Sequence, residues 1–298
     1  MKKLRRTMLF APANNPKLLF NTPIYEPDCI IFDLEDAIKI DEKDAARNLL
    51  AEALKVVDYG NCEVFARINP LRTPTNDKAP FGELDVRTLV PAGLRRMRLP
   101  MCETVEHIEE LSILLDELEE KHGIEKRSVK IQASLETVLG VENAREIAAC
   151  SDRITSISFG SEDYTKSLGA VRTKEGSEIF FARTQIVVAA ALAGVDAIDT
   201  VWADLGDLEG FKKEVRSTIN LGFVGKSCVH PSQVKVVHEM MTPSMEEVEK
   251  SLKIVKAAKE ANIENGGVMQ IDGKMIDIPI IAKAQKIVSL AKGAGLIK

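Results

Sequence analysis

Three polar residues sit at the ends of separate apolar runs: Arg67 after VFA, Glu136 after IQASL, and Asp163 just past ITSISFG. Each run has the length and composition of a buried parallel strand. Each polar residue falls where such a strand hands over to a helix, and in a barrel those ends converge on one face. An arginine and two carboxylates meeting there would suit a divalent metal and an anionic substrate. Mg²⁺ prefers hard oxygen ligands, takes one or two protein carboxylates and leaves other positions for water and substrate. A guanidinium grips a carboxylate with a planar, bidentate fork. Spacing alone leaves structural alternatives open: Glu136 could cap the next helix, Asp163 could pair with a lysine, and Arg67 could bridge to the acids of DLED.

Asp33, Glu35 and Asp36 crowd the end of the second run. One is expected to orient Arg67, and at least one to cap the following helix, where acids are favourable. Lys226 closes the last run and is expected to be electrostatic or structural. A Schiff-base role needs a desolvated amine, of which the sequence gives no sign. His230 and Asn69 are lesser polar candidates, whereas His107, His122 and His238 lie in helical stretches. No serine or cysteine stands in a nucleophile frame.

The elements that must position these residues alternate along the chain. Strand-like runs are TMLFAPA, DCIIFDLED, CEVFARIN, LRRMRLP, VKIQASLE, ITSISFG, VDAIDTV and GFVGKSC. Helical spacing marks KDAARNLLAEALKVV, VEHIEELSILLDELEEKHG, GVENAREIAAC, FARTQIVVAAALAG and FKKEVRSTINLG, with glycine closing three of them at Gly123, Gly194 and Gly222. Eight strands with helical connections predict a (β/α)8 TIM barrel. An open doubly wound sheet would want a glycine-rich turn after the first strand, and TMLFAPANNPK has none. The fourth strand, with three arginines, is expected to be short, with alternate residues leaving the barrel interior. After Pro231 the alternation stops. SMEEVEKSLKIVKAAKEANIENGG predicts one amphipathic helix, VMQIDGKMIDIP a hairpin or tight loop, and IAKAQKIVSLAKG a last helix. The expected division is a barrel over 1–243 and an extension over 244–298 that packs on the barrel or on a neighbouring subunit.

Of the 298 residues, 45% are hydrophobic and 29% charged, with a net charge of −5. A mildly acidic, mixed-charge chain is no electrostatic match for nucleic acid or anionic lipid. No run approaches a membrane-spanning length, and the basic start lacks the apolar core of a signal peptide. Five scattered cysteines, in no CxxC pair, read as reduced thiols in a cytoplasmic protein.

An ordered set of motifs then resembles a known family. RRTMLFAPANNP, FDLEDAI, ARIN, SLETVLG, FGSEDY, FARTQIVVAAALAGVDAIDTVWAD, LGFVGKSCVHPSQV and IDGKMID run in the same order as in the HpcH/HpaI aldolase and citrate lyase β-chain family. The likeness covers nearly the whole chain, and RTKEGSEIFFAR is most similar to the citrate lyase branch. The resemblance implies a Mg²⁺-dependent TIM barrel that cleaves a citryl thioester, carried on acyl carrier protein or CoA, to oxaloacetate and an acetyl thioester. It implies that Glu136 and Asp163 bind the metal, that Glu136 also contacts substrate, and that Arg67 contacts a substrate carboxylate. It implies that Asp277, in GKMID, reaches a neighbouring subunit's site, where it is the candidate proton donor. A homotrimer or homohexamer, associated with the α and γ subunits of citrate lyase, is the implied assembly. One departure stands out: the family often reads LPK at the end of strand four, and Met101 replaces that lysine here. Two further readings are a free-standing citramalyl-CoA or malyl-CoA lyase, and a catalytically silent scaffold subunit.

Overall fold

The computed structural model describes residues 3–72, 81–261, 263, 267–271 and 273–297. Eight parallel strands close into a barrel in sequence order: β1 (Thr7–Pro12), β2 (Cys29–Asp33), β3 (Glu63–Arg67), β4 (Arg96–Leu99), β5 (Lys130–Leu135), β6 (Ile154–Phe159), β7 (Asp196–Asp199) and β8 (Gly225–Cys228). β8 returns to β1 through the register Thr7↔Lys226, Met8↔Ser227 and Leu9↔Cys228. Gly225 is required at this closure, because a Cβ there would lie 1.8 Å from the Arg5 carbonyl oxygen. The TIM barrel expected from the sequence is therefore the observed fold.

The helices on the barrel are α1 (Pro16–Asn21), α2 (Lys43–Val56), α3 (Gly82–Leu89), α4 (Val105–Lys121), α5 (Val138–Glu142), α6 (Ala144–Ala149), α7 (Ser161–Leu168), α8 (Phe180–Ala193), α9 (Leu208–Leu221) and α10 (Pro231–Met241). The five helices legible from periodicity are present, although GVENAREIAAC is broken at Asn143 into α5 and α6. Four were missed. α1, α3 and α7 are too short or too polar to show an apolar stripe. α10 was missed because Pro231 reads as a stop, whereas it is the first residue of the helix, where proline costs no hydrogen bond.

Each strand divides its side chains between two cores. Outward residues such as Ala11, Ile30, Ala66, Met97 and Leu99 join the layer packed under the helices. Inward residues Met8, Cys29, Ile31, Phe65 and Ile198 form a smaller cluster inside the barrel, with Phe10 against it. On β4 the residues that leave the interior are Met97 and Leu99, and Arg98 stays inside, 4% exposed. The N-terminal end of the barrel is filled by ion pairs. Arg5 Nε donates to Glu63 Oε2 at 2.6 Å, its Nη1 to Asp196 Oδ2 at 3.3 Å, and Arg96 Nε to Glu63 Oε1 at 3.2 Å. A partly desolvated chain of alternating charge there fixes the strand starts that it joins.

The chain forms two compact units: Arg5–Val237, and the residues from His238 onward together with those up to Leu4. The boundary falls within α10, slightly before the expected 243. The second unit holds α11 (Met245–Glu260), an antiparallel pair of β9 (Met269–Ile271) and β10 (Lys274–Ile276), and α12 (Ile278–Gly293). Ser244 and Glu247 form a reciprocal capping box that starts α11. Ala258, Ile276 and Ile281 make the unit's own small core.

Candidate active site

The C-terminal ends of the barrel strands surround a cavity of about 450 Å³, and all eight contribute to its wall, from Pro12 on β1 to Val229 after β8. Arg67, Glu136 and Asp163 all line it. The convergence expected from the sequence therefore occurs within one chain. Asp277 belongs to the second unit, where it caps α12, its Oδ1 accepting from the Ile280 N–H at 3.3 Å.

Glu136 follows β5 directly and is 3% exposed. Its Oε1 accepts the Met101 backbone N–H at 2.6 Å and its Oε2 the Ser134 hydroxyl at 2.9 Å. It does not cap the next helix; Thr137 does, accepting from the Gly140 N–H at 3.0 Å. Burial holds the Glu136 carboxyl above its ordinary range, against the pull of Arg98 and the Met101 N–H. Gly160 makes room for it: a Cβ there would lie 2.6 Å from Glu136 Cβ and 2.7 Å from Oε2. Asp163 stands in the first turn of α7, and its carboxylate has no partner among the described residues. The paired-lysine alternative is therefore not found.

Among the described residues no group of three His, Cys, Asp or Glu forms a metal cage. A two-carboxylate set beside an open cavity is what Mg²⁺ accepts, since it retains water and substrate oxygens. The unpartnered Asp163 and the space that Gly160 keeps beside Glu136 fit such an ion.

Arg67 is held more completely than the sequence implied. Its Nε and Nη2 make a bidentate pair with Asp33 at 2.7 Å each, Nη1 donates to Asp36 at 3.1 Å, and Nη1 lies 2.7 Å from Glu35 Oε2. Of five donors, three make hydrogen bonds to Asp33 and Asp36, and one hydrogen on Nη1 and one on Nη2 remain, since Glu35 Oε2 accepts none. Burial works against the Arg67 charge, but these acids outweigh it and hold the guanidinium above its ordinary value. Asp33 also accepts the Glu35 and Ala37 N–H groups, so one acid both orients Arg67 and caps the turn. Burial pushes the Glu35 carboxyl up to about 8; Arg67 opposes the shift, and Glu136, Asp36 and Asp33 add to it.

Sequence reasoning missed Arg98. Its guanidinium lines the cavity, and its Nη2 donates to Ser134 Oγ at 3.0 Å. Phe10 bridges the two cations, its ring centroid 5.3 Å from Arg67 and 5.1 Å from Arg98. The available signal was the period-2 alternation of RRMRLP, which places Arg96 and Arg98 on one face and Met97 and Leu99 on the other. Met101 is not on the cavity wall. It has a positive φ of 49° and its backbone serves Glu136, while its side chain lines a separate small pocket. Lys226 is buried and paired with Glu214 at 3.0 Å, within a network that includes Asp199 and Arg183, which supports the structural reading. Asn69 is structural too, bonded to Asp85 and the Leu34 carbonyl. His230 is exposed and bonded to Ser232.

A TIM barrel with two acids and two arginines at its C-terminal mouth defines an α/β enzyme built for a metal ion and an anionic ligand. The chain belongs to the HpcH/HpaI aldolase/citrate lyase family, whose model matches residues 6–231. It is 40% identical to the citrate lyase subunit beta of Leuconostoc mesenteroides over 296 residues, 99% of this chain and 96% of that one. It is 31% identical to the mitochondrial citramalyl-CoA lyase of Rattus norvegicus, covering 96% of this chain and 86% of that one. The citrate lyase beta subunit of Mycobacterium tuberculosis, solved with oxaloacetate and magnesium, superposes with a TM-score of 0.66 at 29% identity, covering 80% of this chain and 98% of that one.

Proposed function

We propose that this chain is a Mg²⁺-dependent carbon–carbon lyase that cleaves a citryl thioester to oxaloacetate and an acetyl thioester, as the β subunit of a citrate lyase. The observation that carries this reading is the meeting of Glu136, Asp163 and Arg67 on one cavity, in a chain with a citrate lyase β relative along nearly its whole length. The bond that breaks joins the hydroxyl-bearing carbon to the CH₂ beside the thioester. The hydroxyl proton goes to a base, a ketone forms, and the C–C electron pair leaves on the acetyl thioester as an enolate that is then protonated.

Glu136 and Asp163 would hold the Mg²⁺, which when bound supplies Lewis acidity toward the substrate's hydroxyl and adjacent carboxylate. Arg67, fixed by Asp33, orients a substrate carboxylate through its remaining donors. Gly160 gives α7 no side-chain cap; the Ser161 N–H is taken by the Thr200 hydroxyl, and the N-terminal end of the helix favours negative charge at the cavity wall. Asp277 of a neighbouring copy is the proposed acid for the enolate carbon. Assembly into a homotrimer or homohexamer, with α and γ subunits in a larger complex, is part of the proposal. It draws support from α8, whose Phe180, Phe181 and Leu192 are exposed apolar residues. A cytoplasmic setting is part of the proposal; no described helix is long and apolar enough to cross a membrane.

The test is Glu136→Ala and Asp163→Ala, assayed for cleavage of citryl-CoA and for Mg²⁺ binding by calorimetry. Both should lose metal binding and cleavage while the far-UV CD spectrum stays native. Full activity in either removes the metal assignment. The rat relative keeps citramalyl-CoA as a second substrate reading, and the same assay with that thioester separates the two.

A further inference from the structure

Arg98 is the cavity's unanswered cation. Its Nε and Nη1 are buried and have no hydrogen-bond partner among the described residues, and no ion pair to it is found there. Among the described residues its one hydrogen-bond partner is the neutral Ser134 hydroxyl. Arg67, which also lies over the Phe10 ring, has three acidic side chains against it. An unpaired buried guanidinium costs several-fold more than an unpaired neutral donor, so a site that keeps one is built to receive an anion. Burial pushes Arg98 down to about 10, still charged at neutral pH, with Glu136 the foremost influence opposing that fall. Arg98 and Glu136 also share Ser134: the Arg98 Nη2 donates to its oxygen, and its hydroxyl donates to Glu136 Oε2. An anion on Arg98 is thereby placed one side chain from a proposed metal ligand.

We infer that Arg98 binds a second substrate carboxylate and so selects a dicarboxylate acyl group over a monocarboxylate one. The inference rests on the thioester-lyase reading and deepens it. A citryl thioester carries two free carboxylates, whereas citramalyl and malyl thioesters carry one. The carboxylate beside the hydroxyl belongs with the metal and Arg67; the one that only the citryl group has needs its own cation, and Arg98 is the cation available. A site with buried donors aimed at a charged substrate group discriminates strongly against an analogue lacking it, because the donors are then left unpaired.

The test uses the full chain with Mg²⁺, as wild type, Arg98→Met and Arg98→Lys. Calorimetry measures oxaloacetate and pyruvate, the keto acids from citryl and citramalyl groups, and cleavage of citryl-CoA and citramalyl-CoA is followed in parallel. Wild type should favour oxaloacetate and citryl-CoA. Arg98→Met should lower the oxaloacetate-to-pyruvate affinity ratio, and the matching kcat/KM ratio, on the order of 100-fold. Arg98→Lys, with the charge but not the fork, should fall between. Equal losses for both ligands, or an unchanged ratio in folded Arg98→Met, overturn the inference while leaving the lyase reading intact. So does a wild-type preference for pyruvate. If Arg98→Met does not fold, the Arg98→Lys ratio decides: unchanged, it overturns the assignment. Wild type that binds neither keto acid and cleaves neither thioester overturns the lyase reading itself, and this inference with it.

Discussion

Glu35→Gln should make the metal-free protein more stable at neutral pH, by a margin that grows with pH. The carboxyl sits at about 8 in the folded chain against an ordinary 4.5. Between those values the native state keeps a proton that the unfolded chain releases. The unfolded state is therefore favoured progressively as pH rises, by about 1.4 kcal/mol per pH unit. Glutamine keeps the shape and stays neutral in both states, so it lacks this slope. From pH 5.5 to 7.5 the gap between variant and wild type should widen by about 2.5 kcal/mol, and above pH 8 it should level off. Urea titrations of both proteins in EDTA across pH 5.5–9 measure the gap. Carboxyl ¹³C resonances of Glu-labelled protein report the titration directly. A gap constant with pH, or a Glu35 resonance titrating near 4.5, refutes the reasoning.

Gly160→Ala should drive a methyl group against Glu136 and weaken Mg²⁺ binding at least tenfold by calorimetry, with the far-UV CD spectrum unchanged; undiminished affinity would show that the gap beside Glu136 is not used. Asp33→Ala should release Arg67 from its bidentate pair and raise the KM for citryl-CoA more than it lowers kcat. Arg153, fully buried and paired with Glu119 at 2.6 Å, should cost about 3–5 kcal/mol of stability in urea when replaced by Met, because a buried carboxylate is left without its counter-charge.

The barrel was legible because each of its strands is a short apolar run and its larger helices carry a clear stripe. CIIFD is buried at every position, and VEHIEELSILLDELEEK alternates apolar and charged turns. The hidden elements failed for local reasons: α7 is a polar helix with two apolar side chains, and a proline that starts α10 resembles one that stops it. The convergence of Arg67, Glu136 and Asp163 followed from strand order alone. The division of work between two arginines did not. Spacing shows that Arg67 ends a strand, but not that Asp33, Glu35 and Asp36 all turn toward it. Nor could it show that Arg98 faces inward without a counter-ion, which depends on where the strand enters the barrel. Met101 drew attention as a departure in side chain, yet what it gives the site is its backbone N–H.

The ion pairs of Arg5 with Glu63 and Asp196 have a kinetic consequence. They occupy one end of the barrel, so a ligand enters and leaves by the mouth where Asp163 stands. Arg98, one residue short of the end of β4, is more buried than Arg67, its register partner on β3. A molecule anchored there by a carboxylate has the rest of its length between itself and the exit. Two fragments made in such a blind vessel form a queue, and the deeper one waits for the outer one to go. Under the proposed chemistry the acetyl thioester departs first and the keto acid second, an order that product-inhibition patterns would register.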